Sequence, residues 1–188
     1  FKKVFIKIKK LIKKINKEKK IIKTLDLGGG IGINYKNEKI KNFDDYAKII
    51  LNVLNDLNCK LILEPGRILV AKAGILVTKV LYTKKNKKNN FLIINAGMND
   101  LLRPALYDAY HEIENIKKNK GKKIKYTIVG PICETADTFG KNIQLSKVKT
   151  NDILFFKNAG AYGSSMSSSY NSRPIIMELI VYKKKLSI

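Results

Sequence analysis

Two short apolar runs in the first third of the chain both end abruptly. Residues 21–27 stop at Gly28-Gly29-Gly30, and residues 60–63 stop at Glu64-Pro65-Gly66-Arg67. Runs of this length bounded by glycine and proline read as buried strands. Between them lies a helical pattern. Asn42 is placed to cap it, and Asp44 and Asp45 fall in its first turn, where the helix dipole favours negative charge. Its expected apolar face is Phe43, Ala47, Ile50, Leu51, Leu54 and Leu57. Ahead of the first run, Phe1, Val4, Phe5, Ile8, Leu11, Ile12 and Ile15 recur at helical spacing opposite lysines. Such a helix can lie on an anionic membrane, but its expected place is the surface, packed on a sheet. The order helix, strand, glycine loop, helix, strand, loop constrains the fold to α/β, a parallel sheet or barrel.

After Arg67 the pattern changes. Residues 70–82, 91–95, 126–129, 153–156 and 175–182 read as further strands, and the lysine- and asparagine-rich residues 84–90 as a solvated hairpin loop. The chain therefore divides near residue 70 into an α/β part, 1–69, and a mainly β part, 70–188.

The formal net charge of +23 points to nucleic acid or a membrane surface. Its make-up points elsewhere. Only three of the 38 basic residues are arginine, whereas nucleic-acid sites rely on the planar arginine fork. With abundant asparagine and no tryptophan, the lysine excess reads as A/T-rich coding spread over solvated faces. A basic nucleic-acid-binding module is the non-enzyme alternative. Cys59 and Cys133 make no disulfide framework, so a reduced, cytoplasmic setting is expected. No apolar run approaches the ~20 residues of a membrane span. Lysines interrupt the apolar residues of the opening segment, so no signal peptide is visible, and a chain that begins at Phe1 reads as a fragment. One histidine and two distant cysteines do not make a zinc site. His111 is expected in a helical turn over 107–113, as a structural residue.

The rare residues cluster. All four prolines and all three arginines fall in Glu64-Pro65-Gly66-Arg67, Leu102-Arg103-Pro104-Ala105, Gly130-Pro131-Ile132-Cys133-Glu134 and Ser172-Arg173-Pro174. Where lysine serves for almost every cation, an arginine marks a need for the fork, for a carboxylate or phosphate. The triple glycine can turn its backbone N–H groups toward an anion, with the next helix adding its dipole. It is neither a dinucleotide fingerprint nor a P-loop. A second loop, Pro65-Gly66-Arg67, follows the next strand and strengthens a phosphate reading.

Taken in order, LDLGGGIG (25–32), LEPGR (63–67), NAGMNDLLRPALYDAYHE (95–112), VGPICETAD (129–137) and NAGAYGSSMSSSYNSRP (158–174) resemble the C-terminal part of the diaminopimelate decarboxylase family. These are pyridoxal 5'-phosphate (PLP) enzymes with an alanine-racemase-like fold. The resemblance implies that residues 1–69 hold the last strands of a PLP-binding (β/α)8 barrel. Residues 70–188 would form a C-terminal β-domain that completes the active site. It implies that Gly28, Gly29 and Gly30 hold the cofactor phosphate, and that Glu64, Pro65, Gly66 and Arg67 embrace the cofactor, Glu64 facing the pyridine nitrogen. Arg67, Arg103 and Tyr107 would bind substrate. Cys133 would be the general acid, Glu134 the partner of the distal ammonium, and Tyr162 a contact to both phosphate and substrate. A homodimer sharing its active sites is implied as well. The Schiff-base lysine and the ring-stacking histidine of the family lie upstream, so the fragment alone is not expected to catalyse. The reaction implied is decarboxylation of meso-2,6-diaminopimelate to L-lysine and CO2. Ornithine or arginine decarboxylation on the same fold is the alternative, and Arg103 and Glu134, suited to a distal carboxylate and ammonium, argue against it.

Overall fold

The computed structural model describes residues 1–19, 21–36, 38, 42–117, 121–183 and 185–187. It divides into two compact units, Phe1–Ile68 and Leu69–Ile188.

The first unit contains α1 (Lys2–Lys19), β1 (Thr24–Asp26), α2 (Phe43–Leu54) and β2 (Lys60–Ile62). β1 and β2 pair in parallel, Leu25 opposite Leu61. Asn42 caps α2 as expected, its Oδ1 accepting from the Asp45 N–H at 2.8 Å. The buried face of α2 is rotated from the expected one. It is Tyr46, Ile50, Val53 and Leu54, while Phe43 and Leu51 stay exposed. The amphipathic phenol explains the shift. Tyr46 presents its ring to Phe1 and Phe5, with centroids at 4.8 and 6.0 Å, and so sets the stripe at positions i, i+4, i+7, i+8. α1 buries only Phe5 and Ile12 and packs chiefly on α2, in a cluster against which Leu25 of β1 also packs. β2 is exposed along its length, contrary to the expected buried strand. Among the described residues no third strand pairs with β1 or β2, and Leu61 and Ile62 stay uncovered.

The second unit is built on six strands: β3 (Leu76–Lys85), β4 (Asn90–Ile94), β5 (Ile113–Asn115), β6 (Lys123–Val129), β7 (Thr138–Ser146) and β8 (Ile153–Phe156). Their order is β5-β8-β3-β4-β6-β7, with β4 and β6 parallel and the other neighbours antiparallel. The edge strands β5 and β7 approach each other, so the sheet curls toward a barrel. Alternation along β3 turns Leu76, Thr78 and Val80 inward. Leu76 and Val80 join Leu92, Ile94, Ile128, Leu154 and Phe156 in one core, where the Phe139 and Phe156 rings meet at a tilt of 53° with centroids 4.8 Å apart. Each such side chain contributes about 1.5–3 kcal/mol by leaving water.

Two short helices complete this description, α3 (Arg67–Val70) and α4 (Arg103–Tyr107), together with an outlying hairpin of β9 (Ile180–Tyr182) and β10 (Lys185–Ser187). Val70, expected in a strand, therefore ends a helix, and β3 begins only after the irregular turn at Gly74. Of the expected strand 175–182 only the last three residues are strand. β7 was not expected at all. Its alternation is broken by Lys141 and by Asn142, which takes a left-handed φ of 58°.

Candidate active site

In the first unit the glycine loop is shaped by backbone. Asp26 Oδ1 accepts from the Gly28 N–H at 2.7 Å, closing a tight turn after β1. Gly28 and Gly30 have φ of 64° and 87°, conformations open to glycine at no cost. Glu64 donates its N–H to the Gly28 carbonyl at 2.9 Å. A Cβ on Gly29 would lie 2.3 Å from the Glu64 carbonyl oxygen, so only glycine lets the two loops meet. The Gly28–Gly30 and Glu64–Pro65 loops thus sit together at the same ends of parallel strands, where α/β sheets bind ligands. Glu64 and Gly66 are exposed, and Arg67 is half-buried at the start of α3. The helix dipole expected behind the loop does not follow it directly. Gly30 leads into irregular chain pinned by buried Ile31 and Ile33, and α2 begins only at Phe43.

In the second unit the remaining candidates stand on loops braced by buried polar groups. Asp137 is 2% exposed. Its carboxylate accepts from the Met98 and Ile132 N–H groups, both at 2.7 Å. Burial pushes its pKa up, against the pull of those two amides. The bracing ties the 130–137 loop, which carries Cys133 and Glu134, to the 95–100 loop after β4. Cys133 and Glu134 are both exposed, and Cys133 is a free thiol. Tyr170 donates its hydroxyl to Glu134 Oε1 at 2.6 Å, and that bond holds the phenol pKa above its ordinary value. Tyr170 also lines a pocket of about 200 Å³ with Met98, Asn99, Leu102 and Ser168.

Arg103 opens α4 and is 6% exposed. One guanidinium nitrogen lies 3.1 Å from His111 Nε2, and the guanidinium carbon is 5.9 Å from the centre of the Tyr162 ring. Tyr162, 43% exposed, holds a left-handed φ of 64°, a strained conformation for a bulky residue of the kind that collects at functional sites. Tyr107 ends α4 and is 64% exposed. The expected helical turn over 107–113 is absent. α4 stops at Tyr107, Asp108 turns left-handed, and His111 lies in irregular chain, almost fully buried.

Arg173, half-buried, turns its fork to protein acceptors. It donates to Asn99 Oδ1 at 3.2 Å and to the Asn95 carbonyl at 2.6 Å, with Asp100 at 3.7 Å. Asp100 in turn accepts from the Gly97 N–H at 2.8 Å. Residues 158–173 are thereby fastened to the 95–100 loop. The structure thus brings together Gly28–Gly30 with Glu64, Arg103 with Tyr162, and Glu134 with a residue not anticipated, Tyr170. Asn99, Asp100 and Asp137 were also missed. All sit inside quoted motifs, where acidic or amide residues between apolar ones were the available signal.

Comparison with known proteins places this geometry. Residues 17–160 match the model of the pyridoxal-dependent decarboxylase C-terminal sheet domain. The diaminopimelate decarboxylase of Zymomonas mobilis is 43% identical over 97% of this chain and 44% of its own length. That of Helicobacter pylori is 46% identical over 89% of this chain and 42% of its own. The crystal structure of the Helicobacter pylori diaminopimelate decarboxylase complexed with L-lysine superposes with a TM-score of 0.92, covering 99% of this chain and 46% of that one. The chain spans less than half the length of the relatives it matches.

Proposed function

Because the chain belongs to the pyridoxal-dependent decarboxylase family, we propose that it is part of an enzyme that decarboxylates meso-2,6-diaminopimelate to L-lysine and CO2. On this reading the first unit carries the end of the cofactor barrel, residues 1–69, and the β-domain spans 70–188. The observation that carries the cofactor assignment is the Gly29–Glu64 approach. It makes a backbone cradle with no side chain in the way, the shape a phosphate needs. Gly28, Gly29 and Gly30 would hold the phosphate, and Glu64, Pro65, Gly66 and Arg67 the rest of the cofactor, with Tyr162 reaching its phosphate. When bound, pyridoxal phosphate supplies the electron sink for the pair left behind as CO2 departs.

The chain's own residues do the rest. Glu64 keeps a proton on the pyridine nitrogen through its carboxylate. Arg67, Arg103, Tyr107 and Tyr162 bind substrate, Arg103 as the fork for the distal carboxylate. Glu134 takes the distal ammonium. Cys133 returns a proton from Sγ to the α-carbon once its bond to the carboxyl carbon has broken, and solvent reprotonates the thiolate. The exposure of Cys133 and Glu134 supports their contribution to a partner's site in a homodimer. Two free cysteines fit a cytoplasmic setting. Among the described residues no helix is long and apolar enough to cross a membrane.

The test is CO2 release by the complete polypeptide supplied with PLP, from meso-diaminopimelate and from ornithine. Release from diaminopimelate alone supports the reading. Release from ornithine instead overturns the distal clamp, and release from neither overturns the function. Cys133→Ala should slow product formation with cofactor binding intact, and unchanged turnover would remove Cys133 as the acid.

A further inference from the structure

Arg103 is a long cation held almost fully inside the protein. An arginine recognises a carboxylate through two parallel N–H bonds, so its worth depends on the plane in which the guanidinium is held. His111 fixes that plane. Its Nδ1 lies 2.9 Å from the Lys157 carbonyl oxygen. A carbonyl only accepts, so Nδ1 carries the proton and Nε2 carries a lone pair. Arginine only donates, and its guanidinium nitrogen lies 3.1 Å from that lone pair. The two contacts therefore demand one tautomer of a neutral imidazole. Burial holds the His111 pKa below its ordinary value, against the pull of the Lys157 carbonyl and with the Arg103 charge adding to the lowering, in keeping with this state.

The carbonyl end is itself anchored. The Lys157 N–H donates to the Glu112 carbonyl at 2.9 Å. Its ammonium pairs with Glu112 at 3.1 Å and with Glu114. Those acids lie on the segment that carries His111 into β5, so the imidazole is set between a strand pair and the arginine.

We propose that His111 is the positioning residue for recognition of the substrate's distal carboxylate, its Nε2 lone pair holding the Arg103 guanidinium in the plane that binds it. This rests on the reading of Arg103 as the distal clamp. His111 is 1% exposed and acts through Arg103, so its loss acts on binding before chemistry.

The experiment compares wild type, Arg103→Lys, His111→Leu and His111→Gln in the complete, PLP-loaded polypeptide. His111→Leu should raise KM for meso-diaminopimelate about tenfold or more. It should leave kcat within about threefold and leave the cofactor absorbance unchanged. His111→Gln, whose side-chain oxygen can accept from Arg103, should recover most of the loss. A wild-type KM in His111→Leu overturns the proposal, as does a fall in kcat at constant KM, or a Gln variant no better than Leu. An unchanged KM in Arg103→Lys removes the clamp itself, a separate failure of the underlying reading. If His111→Leu does not fold, the 15N shifts of the wild-type imidazole decide. Protonation at Nδ1 supports the proposal, and protonation at Nε2 overturns it.

Discussion

The two units build their candidate loops by different means. In the first, a pair of three-residue strands delivers the Gly28–Gly30 and Glu64–Arg67 loops, and backbone sterics fix their shape through positive φ and the absence of a Cβ. In the second, a six-stranded sheet with its own core delivers loops whose shape is fixed by polar side chains, chiefly the buried Asp137 and Asp100 and the half-buried Arg173. The difference follows from burial. A closed core can pay the desolvation of a carboxylate by surrounding it with amides. The first unit has an apolar cluster, Phe5, Ile31, Tyr46, Ile50, Val53 and Leu54, but among the described residues no buried carboxylate braces its loops, and chain geometry shapes them instead.

Substitutions in the complete protein sharpen this contrast, beginning with the most severe. Gly29→Ala sets a Cβ against the Glu64 backbone, which no rotamer change relieves. About 1–3 kcal/mol of strain should weaken PLP binding some ten- to hundredfold, read by cofactor absorbance against added PLP. Asp137→Ala orphans the Met98 and Ile132 amides. The expected loss is about 1–3 kcal/mol, seen as a lower Tm and faster amide exchange across 130–137, with PLP affinity unchanged. If PLP affinity fell as far as in Gly29→Ala, the separation of the two mechanisms would fail. Arg173→Lys keeps the charge and loses the fork, which should cost about 1 kcal/mol and loosen residues 158–173 to protease. Tyr170→Phe frees the exposed Glu134 carboxylate and should raise KM for diaminopimelate by no more than a few fold, with stability unchanged.

The smallest effect is a slope. The folded state lowers the His111 pKa, so the unfolded chain binds the proton more readily. The neutral imidazole's contribution is whole above the unfolded pKa of about 6.5 and is lost as pH falls below it. Denaturant unfolding between pH 7 and 5 should show this loss, and His111→Gln should flatten it.

The change from α/β to β elements, the glycine turn after β1, the cap at Asn42 and the motif clusters were legible because they depend on neighbours a few residues apart. Strand-ending glycines, helix caps and motif spacing are local properties of a chain. The face of α2 differs from its apolar pattern because the amphipathic Tyr46 turns inward. β7 was missed because a left-handed asparagine interrupts its alternation, and the partners that make it a strand lie on β6. The roles of Asp137, Arg173 and His111 were beyond sequence for the same reason. Their hydrogen bonds join residues 39, 78 and 46 positions apart. Such pairings exist only once the sheet has brought its loops together. The sequence by itself determined which residue types stand at each turn and which family they resemble. Tertiary structure alone decided which of those polar groups are buried, because desolvation is imposed by the whole core and not by adjacent residues.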